Sequence, residues 1–217
     1  MNIIDKGNYE KFIEGGVLKI KDYTKVELKG VNNLSIVANN NNEITVGNNC
    51  SINCNNDNTI DTGSSNTITT GNNCTISGFN HNEISTGQYC TIEGHNGNII
   101  KCSDYCEVVV TNRNNVECGE ECIIYGDNEN KITINSNSKV FVDDNCEIRL
   151  NGGKILLEIS GKNAKVKNRV KNNGIITYNK KGKMKLYKTN KLRKGEIIVE
   201  NGEISLDYDN RYITIGK

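Results

Sequence analysis

Cys102-x-x-x-Cys106 and Cys118-x-x-x-Cys122 are two cysteine pairs of equal internal spacing, set sixteen residues apart. Four thiolates brought together could hold zinc or an iron–sulfur centre. The competing account is packing, because a cysteine that binds nothing behaves as a small buried apolar residue. Cys50, Cys54, Cys74, Cys90 and Cys146 fall in the same registers without a tetrad to join, so packing is the expectation and no cofactor or metal is implied. Nine cysteines cannot all pair within one chain, which points to reduced thiols. The two histidines form a second set. His81 and His95, with Phe79, mark one corner of the chain, and an imidazole pair near Glu83 and Glu93 could move protons or bind a metal. No Ser, Cys or Asp completes a nucleophilic set around them, so no catalytic residue is assigned and the corner stands as a candidate binding site.

The elements that must position these side chains follow from an eight-residue period. Counted in octads from Ile20, the central residue is Ile, Val or Leu at every step through Ile84 and Ile100 to Leu156. Turn formers such as Val46-Gly-Asn-Asn49 and Thr70-Gly-Asn-Asn73 lie between the centres, where glycine and asparagine accept a positive φ. Residues around each centre alternate inward and outward, so one octad is one short strand and one corner. Two octads per coil sort the residues best. Cys74, Cys90, Cys106 and Cys122 then share one column, and Asn66, Asn82, Asn98, Asn114 and Asn130 share another. The prediction is an all-β, single-chain parallel β-solenoid with two strands and 16 residues per coil and about nine coils. Residues 1–19 are expected to cap its start, 20–156 to form the solenoid, and 157–217 to form a small, basic, antiparallel β appendage. Asn201-Gly202 predicts a two-residue hairpin within that appendage.

The same coil length places Val109, Tyr125 and Phe141 in one outward column with Ile123 beside them, a candidate contact surface. The C-terminal appendage is expected to fold over that stripe, in preference to a second subunit. Tyr89 and Tyr105 stack at another corner. Charge is divided unevenly: Asn40–Ile148 carries fifteen acids against four bases, whereas Gly161–Gly195 carries thirteen bases and no acid. Within the basic segment, Lys162, Lys165, Lys167, Arg169, Lys171, Tyr178, Lys180, Lys181, Lys183, Lys185, Tyr187, Lys188, Lys191, Arg193 and Lys194 interleave cations with aromatics, a pattern suited to phosphate contacts and base stacking. The bland account of these lysines is a solvated face or edge protection.

Over residues 20–156 the repeat resembles the wider class of bacterial and phage parallel β-solenoids. That is a resemblance of pattern. A six-residue acyltransferase period, a calcium-binding nonapeptide repeat and a five-residue repeat are each excluded by the octad. Outward columns that mix Thr with Glu, Lys, Ile and Tyr argue against ice binding. The expected function is a non-enzymatic structural or protein-binding module, self-assembling or a phage or host-interaction component, that binds a protein partner or itself. A polyanion-binding protein using 162–194 is the alternative, with nucleic acid as the partner. No membrane partner is expected, and the absence of an apolar leader or span predicts a cytoplasmic or virion location. The Asn-, Lys- and Ile-rich composition fits the AT-rich genome of a phage or a low-GC bacterium.

Overall fold

The computed structural model describes residues 2–168 and the strands Ile175–Lys180, Lys183–Lys188, Gly195–Glu200, Glu203–Tyr208 and Arg211–Ile215. It is a parallel β-solenoid of about nine turns, ending in a region of mixed pairing. Two compact units are distinguished, Met1–Glu107 and Val108–Lys217.

In the first unit each strand is about one octad's apolar half. In Thr67–Thr70, Ile68 and Thr70 are buried while Thr67 and Thr69 face solvent, the alternation that a strand with one wet face requires. Ile60, Ile76 and Ile92 stack in register in one sheet. Ile36, Ile52, Ile68, Ile84 and Ile100 stack in the other. Each of these isoleucines is at most 1% exposed, and a second inward residue such as Ala38, Cys54 or Thr70 completes the narrow core beside it. The N-terminal segment closes this unit. Asn2–Asp5 pairs parallel with Thr24–Glu27, a 3-10 turn follows at Tyr9–Phe12, and Ile13–Glu14 pairs antiparallel with Val17–Ile20.

The register of the first coil differs from the octad count. Leu18 pairs with Ile36, and Val26 pairs with Ile44, so the central residues are Leu18 and Val26 in place of Ile20 and Leu28. The cause is a longer corner around Gly30, whose φ is 79°, before Ser35–Ala38 begins. Ile20 and Leu28 remain buried, because alternate residues of a strand face the same side.

The second unit continues the pattern with Ile124, Val140, Leu157 and Ile176 in register in one sheet. Val116, Ile132, Ile148 and Val166 align in the other. Here too the count slips: Leu157, and not Leu156, is the central residue, because an extra corner residue near Gly152 and Gly153 turns Leu156 to the outer face. Strand Ile175–Lys180 pairs parallel with Leu156–Ile159 on one side, whereas the sequence reading made it wholly antiparallel. Its other neighbour, Lys183–Lys188, is antiparallel. Gly195–Glu200, Glu203–Tyr208 and Arg211–Ile215 form an antiparallel extension of the second sheet, and Glu200 opposes Glu203 as a two-residue hairpin requires.

Asparagine holds the corners through two ladders. In the inner one, the backbone N–H of Asn66 donates to Asn82 Oδ1 at 2.8 Å, and that of Asn82 donates to Asn98 Oδ1 at 2.8 Å. The Asn82 amide then donates to the carbonyl of Gly63, nineteen residues earlier, at 3.1 Å. In the outer one, Asn72 N–H donates to Asn56 Oδ1 and Gln88 N–H to Asn72 Oδ1, each at 2.8 Å. Together they satisfy corner amides that no strand ladder reaches.

Candidate functional site

The cysteines occupy the same place in the coil as the inner asparagines. Cys74 N–H donates to Cys90 Sγ at 3.4 Å, and Cys90 Sγ donates to Gly71 O at 3.5 Å, again nineteen residues back. A thiol thus accepts one backbone amide and donates to one carbonyl, the task of Asn82, with weaker and longer bonds. All nine cysteines are buried thiols. Burial pushes Cys54 up to about 12 and Cys146 up to about 11, while the Cys90 contact together with burial raises Cys74. A nucleophilic cysteine needs the opposite shift, toward thiolate, so Cys54, Cys74 and Cys146 are placed for packing and not for attack. Of the sequence-derived tetrad, Cys102 and Cys106 belong to the first unit and Cys118 and Cys122 to the second.

At the histidine corner, Phe79 and His95 stack with centroids 4.9 Å apart and planes 17° off parallel. His81 sits at φ 57° and lies against Gly97, where an added Cβ would meet its ring at 3.1 Å. All three rings are exposed. Among the described residues neither imidazole makes a side-chain hydrogen bond or ion pair, so nothing there fixes a tautomer or orients a base. Tyr89 and Tyr105 stack more closely, at 4.8 Å and 6°, also from positive-φ corners.

The outward apolar column is a different kind of surface. Tyr125 and Phe141 are paired residues on neighbouring parallel strands, with rings stacked 5.0 Å apart and 10° off parallel. Val109 is 40% and Tyr125 41% exposed, and Ile123 and Phe141 are half-buried. Among the described residues, the C-terminal strands do not lie over this face as expected. Ile175–Lys180 and Lys183–Lys188 extend the sheet beyond Leu156–Ile159 edge to edge, and no described strand covers the outer side of Ile123–Gly126 and Lys139–Val142.

Of the basic set, Lys162, Lys165, Lys183 and Lys185 are exposed and Lys167 is half-buried, 3.8 Å from Glu147. Tyr178 and Lys180 lie on one strand and Tyr187 and Lys188 on its antiparallel neighbour, with Tyr178 opposite Lys185. Arg169, Lys171, Lys181, Lys191, Arg193 and Lys194 fall outside the described residues.

Sequence reasoning missed a cleft of 540 Å³ at the N-terminal cap, bordered by Phe12, Val37, Lys11, Lys21 and the Lys19–Glu14 pair. Its walls come from the N-terminal segment, with Asn2, Ile4 and Phe12, which lies outside the span that the octad orders, and from the strands beside it. Among the described residues no helix is long and apolar enough to cross a membrane. No protein-family model, curated protein or solved structure matches this chain.

Proposed function

We propose that this chain is a non-catalytic scaffold that binds protein through the outer face formed by Val109, Ile123, Tyr125 and Phe141. The observation that carries this reading is the stack of exposed Tyr125 on half-buried Phe141, on an outer strand face with two more apolar side chains. Isolated exposed apolar residues are ordinary on proteins, but a contiguous patch on a rigid sheet marks a contact surface. Rigid aromatics add contact area with little loss of conformational entropy, which suits them to interfaces. The exposed rings at the two corners lack this continuous setting.

The test is a photo-reactive phenylalanine analogue in place of Tyr125, irradiated in extract from the native host, with the same analogue at exposed Asn73 as control. Protein adducts formed at 125 and not at 73 support the reading. Equal yields at the two positions remove it.

A second reading, polyanion binding, is favoured by the exposed Lys162, Lys165, Lys183 and Lys185. It predicts a gel shift with DNA or RNA at low salt that weakens steeply as salt is added. No shift at low salt ends it.

A further inference from the structure

On the outer face of the second unit two columns run side by side. One holds Ile123, Lys139 and Leu156, and the other holds Tyr125, Phe141 and Glu158. Lys139 is exposed and Glu158 half-buried, and neither makes an ion pair among the described residues. Over these three strands the face therefore carries one cation in the first column, one anion in the second, and apolar side chains at the other four positions. The two charges are offset by one strand, a step of about 4.8 Å.

This pattern is complementary to itself. A two-fold axis parallel to the direction of strand stacking lays the first column of one copy over the second column of the other. Ile123 then meets Tyr125 of the second copy. Lys139 meets the second copy's Phe141, with that copy's Glu158 one strand away, and the symmetry repeats both contacts. An ammonium against an aromatic ring and within reach of a carboxylate is attracted by both. Isologous pairing of one patch on itself is the commonest way in which soluble chains assemble. Resting on the protein-binding reading above, we propose that the partner on this face is a second copy of the same chain, held in this two-fold arrangement by reciprocal Lys139–Glu158 pairs.

Charge exchange tests it on the full chain by sedimentation velocity, with far-UV circular dichroism confirming that each variant is folded. Wild type is expected to dimerise in the micromolar range, and Tyr125→Glu to be monomeric. Lys139→Glu and Glu158→Lys each place like charges opposite one another, and each should weaken the dimer by about tenfold or more. Mixing these two single variants puts opposite charges back at both contacts, so a heterodimer of near wild-type strength is expected. The milder Lys139→Gln should weaken the dimer less than Lys139→Glu. A wild type that stays monomeric at hundreds of micromolar overturns the proposal, as do single variants that dimerise normally or a mixture that fails to recover. A monomeric wild type that still forms adducts to another protein at position 125 removes self-pairing alone. A monomeric wild type without such adducts removes the contact-surface reading as well.

Discussion

Asn98 Oδ1 accepts the backbone N–H of Asn82 at 2.8 Å, and Asn82 Oδ1 accepts that of Asn66 at the same distance. Each inner asparagine is thus the hydrogen-bond partner that a neighbouring coil cannot obtain from its own strand. Replacing Asn82 by Ala leaves the buried Asn66 N–H without this partner, while the Gly63 carbonyl keeps the Phe79 N–H at 3.2 Å. A buried orphan costs about 1–3 kcal/mol, so the loss expected for Asn82→Ala is about 2 kcal/mol by urea unfolding. Asn82→Cys should fall between wild type and Ala, because Cys90 shows that a thiol accepts the same amide less well. Equal losses for the two variants would contradict the equivalence of the Asn and Cys columns.

The outer ladder has its own requirement at Gly71. A Cβ there would fall on Asn56 Oδ1, the atom that accepts Asn72 N–H. Gly71→Ala should therefore destabilise by about 2 kcal/mol through overpacking. Asn56→Ala removes the obstructing oxygen along with its hydrogen bond. Combined in one chain, the two substitutions should cost about 1 kcal/mol less than the sum of their separate effects. Additive losses would show that the backbone, and not Asn56, sets the limit at Gly71.

Much of this was legible because a solenoid turns a sequence period into a column. Ile76 and Ile92 lie sixteen residues apart and are direct neighbours, so counting sufficed to stack Phe79 on His95 and Tyr125 on Phe141. Register at the two ends was not legible, for a physical reason. Leu18 and Ile20 both face inward, so an apolar pattern tolerates a two-residue slip and only corner length decides between them. The exposure of Tyr125 was equally hidden. It depends on strand Ile175–Lys180 joining the sheet edge, a choice that alternation alone does not encode.

The buried thiols predict an alkaline limit to stability. Burial lifts Cys54 to about 12 and Cys146 to about 11, from an ordinary 9.0. As pH rises the unfolded chain loses these protons first, so the stabilisation is whole below about pH 8. It is then lost from there up through pH 11–12, at about 1.4 kcal/mol per pH unit for each thiol ionised only in the unfolded state. Urea midpoints measured under reducing conditions should be flat from pH 6 to 8 and fall by pH 10. The Cys54→Ala/Cys146→Ala chain should show a shallower fall, since other alkaline titrations persist while these two are gone. The same slope in both chains would mean that these thiols ionise as easily folded as unfolded.

The corners also hold strain that can be released. At most corners the residue three before the core position sits near φ 55–60°, as at Asn49, Asn73 and Asn145, and the same conformation is imposed on Glu121 at 56°. Asparagine tolerates this region, whereas a longer L-residue pays roughly 1 kcal/mol for it. Glu121 is exposed, and its backbone N–H donates to Ser136 O at 2.9 Å whatever the side chain is. Glu121→Asn should therefore stabilise the protein by about 0.5–1 kcal/mol and raise the thermal midpoint by about 2 °C. Glu121→Gly relieves the same strain but loosens the unfolded chain, so its gain should be smaller. A β-branched replacement tests the sign from the other side: Glu121→Val should lower the midpoint below wild type, because a second γ substituent crowds the corner further. If Asn, Gly and Val all melt with wild type, the corner carries no strain at this position and the bulky residues at the other corners need no compensation either.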